Sequence, residues 1–171
     1  KFFDIAMASA KLSELNGQSG EALGYYARAR TWADRIDSES LIAFSEEIDE
    51  SGLLSGLLAF GAGREFNSIV QGQLAAGDED AALATWEAMP LCLQKLFAQV
   101  EMAKYFHAKK RSAAARACAQ RCQAMLDPRR SADDVAVISI AIAMIFRSIG
   151  DDQRMQQTIA KLLATPSVQA S

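Results

Sequence analysis

The chain has 171 residues, with 18 Lys+Arg against 21 Asp+Glu, which suits one domain or one compact repeat array. Half of the residues are hydrophobic and the charges are interspersed, which excludes wholesale disorder. The longest apolar stretch, Val135 to Phe146, is too short to span a bilayer.

Thirty-two alanines and only three prolines lean the whole chain towards helix. Apolar residues at Ile5, Ala8, Leu12 and Leu15 predict a first amphipathic helix, stopped by Asn16-Gly17. Ser19 opens a second, with Ala22, Leu23, Tyr26 and Ala29 inside, ending near Ile36. Asp37-Ser38 begins a third, carrying Leu41, Ile42, Phe44 and Ile48. The nearly chargeless SGLLSGLLAFGAG, Ser51 to Gly63, reads as one short helix with close contacts at its glycines.

Glu65 to Ala76 predicts a helix stopped by Gly77, and Asp78 caps the next, which Pro90 cuts after Met89. Leu91 to Lys109 and Ser112 to Leu126 follow, the latter closed by Asp127-Pro128. Asp133 to Ile149 has enough β-branched residues for a buried strand. Acidic residues at its start, Arg147 in its last turn and Gly150 after it decide for helix. Asp151 or Asp152 caps a final helix through Leu163, ended by Pro166, with a frayed tail over 167–171. The expectation is one all-α domain over residues 1–166, of about eight to ten helices.

Cys92, Cys118 and Cys122 have no scaffold-like spacing, and cysteines four apart on a helix are poorly placed for a disulfide. They read as small buried residues in a reducing compartment, which favours the cytoplasm. The first residue is Lys1, so the chain is taken as a fragment or processed form, and the lack of a signal peptide carries no weight. Residues 1–90 hold 6 basic and 15 acidic side chains, a net −9, whereas 91–171 hold 12 and 6, a net +6. Opposed halves permit head-to-tail self-association, which salt would weaken.

Self-similarity is the most informative feature. With the break residue as zero, Gly17 is followed at +5, +9 and +12 by Ala22, Tyr26 and Ala29, and Gly77 by Ala82, Trp86 and Met89. Lys109 is followed by Ala114, Cys118 and Arg121, and Gly150 by Met155, Ile159 and Leu162. A glycine turn, a small residue that lets helices approach and a bulky one that fills the groove describe hairpins needing neighbours to cover them.

This pattern resembles the tetratricopeptide repeat family, all four positions matching in the unit that starts at Gly17. Break-to-break spacings of 60, 32 and 41 depart from the family's 34, and the first gap has room for a degenerate unit around Gly52. The resemblance implies an α-solenoid of antiparallel helix hairpins that takes a peptide or protein segment on its concave face. It implies binding positions on the first helix of each hairpin, at −13, −10, −6, −3 and −2. Carried over, these include Lys11, Arg64, Asn67, Gln71, Gln99, His107 and Arg147, while Val137 and Ile140 read as core closing one end.

Catalysis finds little support. His107 is the single histidine, and the Asp133-Asp134 and Asp151-Asp152 pairs are explained by helix starts. Glu46, Glu47, Asp49 and Glu50 read as a solvated face. No metal or cofactor is expected. Eight basic residues between Lys104 and Arg130 suggest phosphate binding, yet Arg111, Arg116 and Arg121 scatter around a helix without stacking aromatics, which disfavours nucleic acid. The expected function is a non-catalytic interaction scaffold; the alternative is a ligand-sensing or oligomerising regulatory module.

Overall fold

The computed structural model describes residues 2–45, 63–89, 92–127 and 130–164, and every regular element among them is an α-helix. They are α1 (Phe2–Leu15), α2 (Ser19–Ser45), α3 (Arg64–Ala75), α4 (Glu79–Ala88), α5 (Leu93–Ala108), α6 (Ser112–Gln123), α7 (Ala132–Ser148) and α8 (Asp152–Leu163). The glycine-rich stretch expected as a short helix, except its last residue Gly63, the acidic run from Glu46, all three prolines and the tail lie outside the described residues. The break expected at Asp37-Ser38 is absent: α2 runs through it. Asp and Ser favour caps, but neither costs a helix interior what Gly or Pro does.

The strand alternative for the β-branched run is overturned. α7 is a helix whose Ser131 Oγ accepts from the Asp134 N–H at 3.1 Å, with Asp133 and Asp134 in its first turn. Two caps expected from sequence are present, Asp78 accepting from Ala81 N–H and Asp151 from Arg154 N–H, whereas Ser19 is the first residue within α2.

The chain divides into two compact units, Lys1–Lys95 and Leu96–Ser171. In the first, α1 packs on α2, α2 on α3 and α3 on α4; in the second, α6 packs on α7 and α7 on α8.

Four interhelical turns share one hydrogen-bond pattern. The Gly17 N–H donates to the Glu14 carbonyl and the Gln18 N–H to the Ser13 carbonyl, at 2.9 and 2.8 Å. Gly77 with Asp78, Lys110 with Arg111 and Gly150 with Asp151 repeat both bonds. This is the Schellman closure, whose pivot sits in the left-handed region; φ is 73° at Gly17, 84° at Gly77 and 76° at Gly150. The third pivot is Lys110, at φ 60°, and not Lys109 as the spacing suggested. Lysine there carries the left-handed cost that glycine escapes. Lys110→Gly is expected to stabilise the fold by about 1 kcal/mol, and Lys109→Gly to give no gain, as chemical denaturation of the two variants will measure.

Counted from these pivots, burial falls into register. Positions −11, −7 and −4 are buried in every first helix: Ala6, Ala10, Ser13; Phe66, Val70, Gln73; Gln99, Ala103, Phe106; Ser139, Ala143, Phe146. On the second helices +5, +9 and +12 are buried as Ala22, Tyr26, Ala29; Ala82, Trp86, Met89; and Ala115, Ala119, Cys122. The shift by one residue replaces Arg121 with Cys122 at the third buried position.

In α1 the expected stripe faces outwards. Ile5, Ala8, Leu12 and Leu15 are exposed, and the side facing the other helices is Ala6, Ala10 and Ser13. Small residues on that side let α1 and α2 come close, whereas the larger aliphatics would hold them apart.

One contact defines how α2 meets α3. A Cβ placed on Gly72 would run into the Tyr26 ring, so glycine at that point of α3 makes the room the ring occupies. The Tyr26 hydroxyl donates to Glu14 Oε1 at 2.8 Å, tying α2 back to α1. Burial, and then the Glu14 carboxylate, hold the phenol well above its ordinary ionisation range. At the end of α4, Trp86 Nε1–H donates to the Lys95 carbonyl at 2.9 Å. Lys95 Nζ in turn donates to the Met89 and Glu87 carbonyls and lies 4.9 Å from the Trp86 ring centre. Half-burial there pulls the ammonium below the ordinary lysine value.

Candidate functional site

The residues expected to bind a partner fall into different environments. In the first unit Lys11, Arg64 and Gln71 are exposed on α1 and α3, but Asn67 is half-buried and its Nδ2 donates to Gln94 Oε1 at 3.2 Å. In the second unit His107 and Arg147 are exposed, each three residues before a pivot.

Gln99 is not on an open face. It is fully buried at the −11 core position, where the one-residue shift of the third turn puts it. Its Nε2 donates to Met102 Sδ at 3.7 Å and its Oε1 has no partner among the described residues. A buried amide oxygen left unbonded costs about 1–3 kcal/mol. Gln99→Met, which keeps the length and removes that oxygen, is expected to raise stability by about 1–2 kcal/mol. A thermal melt measures it, and a residue on an open binding face would show no such gain. Val137 and Ile140, expected as core, are half-buried and half-exposed, because α7 turns Ile138, Ile142 and Ile145 inwards instead.

His107 lines a cleft of about 460 Å³ with Ser112, Arg116 and the turn residues Ile149–Gln153. A second cleft of the same unit, about 500 Å³, lies among α6, α7 and α8. The small alanine side of α6 and the turn into α8 bring together residues nearly forty positions apart. Val135, Ile142, Phe146 and Leu162 give it an apolar lining; Arg116, Arg154 and Lys161 supply positive charge, and Gln120, Gln123 and Gln157 supply amides. Among the described residues no acidic side chain lines it. The Arg154 guanidinium stands 5.8 Å from the Phe146 ring centre and its Nε is 3.6 Å from Asp151 Oδ2 on the exposed rim. That exposed pair is weak in water.

Sequence reasoning missed this cleft. The spacing of Arg111, Arg116 and Arg121 scatters them along one helix, whereas the cationic neighbours of Arg116 in the cleft come from α8.

The Cys118 and Cys122 thiols, buried in α6, are pushed up to about 11 and about 12, chiefly by burial. Such thiols stay protonated at neutral pH and are poor nucleophiles. Among the described residues no three His, Cys, Asp or Glu side chains come together as metal ligands would, and no helix is long and apolar enough to cross a membrane. Comparison with protein-family models, curated proteins and solved structures returns no match.

Proposed function

We propose that the chain is a non-catalytic protein-interaction scaffold whose helix pairs are the antiparallel hairpins of a tetratricopeptide-like solenoid. In this reading the second unit takes a peptide or protein segment that carries both apolar and carboxylate side chains. The observation that carries it is the α6–α7–α8 cleft, where Arg116, Arg154 and Lys161 stand over Val135, Ile142 and Phe146. Apolar walls with a few convergent polar groups are the usual make-up of a recognition site. Three cations among the described lining residues, Arg154 with Asp151 beside it at the rim, favour an acidic partner. The four shared turns and the common burial register support the hairpin reading. Three buried cysteines outside any disulfide suit a reducing compartment such as the cytoplasm.

The test is selection from a random-peptide display library on the wild-type protein and on an Arg154→Glu, Lys161→Glu variant. Enrichment of peptides combining Asp or Glu with aliphatic residues on the wild type alone supports the reading. The same peptides on both proteins, or none on either, refutes it. Both substitutions are at exposed positions, so circular dichroism should show unchanged helix content.

A further inference from the structure

Two outward faces of this chain are the two halves of one interface that the fold already uses internally. Where α2 meets α3, the +9 residue of a second helix, Tyr26, sits on the −5 residue of the next first helix, Gly72. Where α6 meets α7, the corresponding residues Ala119 and Ile145 are both buried, 1% and 0% exposed. At position −12, Ile138 of α7 is fully buried and Glu65 of α3 is half-buried. On α1 the residues at −12 and −5 are Ile5 and Leu12, each 61% exposed, with Phe2 and Leu15 exposed beside them. On α8 the +9 residue is Ile159, 40% exposed, and Leu163 stands next to it at 58%. Thus α1 presents the side that elsewhere receives a preceding second helix, and α8 the side that elsewhere receives a following first helix.

We infer that these faces seat on each other between copies of this chain, α8 of one against α1 of the next, with Ile159 on Leu12 in the place of Tyr26 on Gly72. The second copy is indicated by charge as well as by register. The half containing α8 is net +6 and the half containing α1 is net −9. On the helices themselves, α8 carries Arg154 and Lys161 against Asp152, with Asp151 at its N-cap, and α1 carries Asp4 and Glu14 against Lys11. Opposite potentials orient α8 towards α1 and oppose α1 on α1. The contact is heterologous, so it leaves a free face at each end and adds further copies as concentration rises. The inference does not depend on the peptide-binding reading: Arg154 and Lys161 also line the α6–α7–α8 cleft, but the residues substituted in its test, Leu12 and Ile159, do not.

Sedimentation equilibrium of the chain, from 5 to 200 µM in 20 mM salt, tests it. The expected result is a weight-average mass that climbs through at least twofold and falls back towards the monomer in 500 mM salt. Leu12→Glu and Ile159→Glu each remove one face and should each be monomeric throughout, with wild-type circular dichroism because both sites are exposed. Mixed one to one, they should form a heterodimer and stop there, since each retains the face the other has lost. A wild type that stays monomeric overturns the inference. So does a mass unchanged by salt, a single variant that associates like the wild type, or a mixture that stays monomeric.

Discussion

Gly72→Ala is expected to destabilise the wild-type fold and to stabilise the fold of a Tyr26→Ala protein. In the wild type a new methyl meets the buried Tyr26 ring, which Glu14 holds by its hydroxyl. Overpacking of this kind costs about 1–3 kcal/mol, which outweighs the gain of about 1 kcal/mol from replacing glycine inside a helix. Tyr26→Ala alone removes a large buried ring and should cost about 3–5 kcal/mol. With the ring gone nothing opposes the methyl, and the helix-propensity gain remains. Urea denaturation of the four proteins closes a double-mutant cycle with a coupling of about 1–3 kcal/mol between the sites. Additive effects would mean that α2 does not rest on α3 through this pair.

That contact shows which parts of the fold were legible in sequence. Gly17, Gly77 and Gly150 were readable because a left-handed pivot demands glycine, and Tyr26 at +9 was readable because a bulky residue between small ones fills a groove. The third turn has lysine on both sides of the choice, so the residue type could not fix the pivot. The information lay further along, where Lys109 puts Arg121 at a buried position and Lys110 puts Cys122 there. That one-residue slip also carried Gln99 onto an expected binding face when it belongs to the core. α1 failed for a different reason. Periodicity finds the larger aliphatic side of a helix, but it does not say that Ala6, Ala10 and Ser13 give the closer packing. The cleft was beyond a linear reading because Arg116 and Arg154 meet only through the stacking of three helices.

The same stacking makes alkaline pH the condition to which this fold should be most sensitive. Cys118 and Cys122 are held up to about 11 and about 12 by burial; Arg121, whose Nη1 donates to Cys118 Sγ at 3.9 Å, favours the thiolate but does not offset it. In the unfolded chain the same thiols ionise near 8.5. Above that pH unfolding releases protons, so the contribution of both groups is intact below about pH 8.5. It is lost progressively as pH rises towards their folded values, by up to about 1.4 kcal/mol per pH unit for each thiol. Tyr26, also raised, acts in the same direction at higher pH, and Lys95, lowered, acts in the opposite one. A Cys118→Ala, Cys122→Ala protein carries every group but the two thiols. Between pH 8 and 10.5 the wild type should lose about 5 kcal/mol more stability than this variant, read from urea midpoints followed by circular dichroism, since both tryptophans lie in the first unit and the thiols in the second. Parallel losses in the two proteins would place the thiols in contact with water, and with them the small-residue side of α6 that closes the stack onto α7.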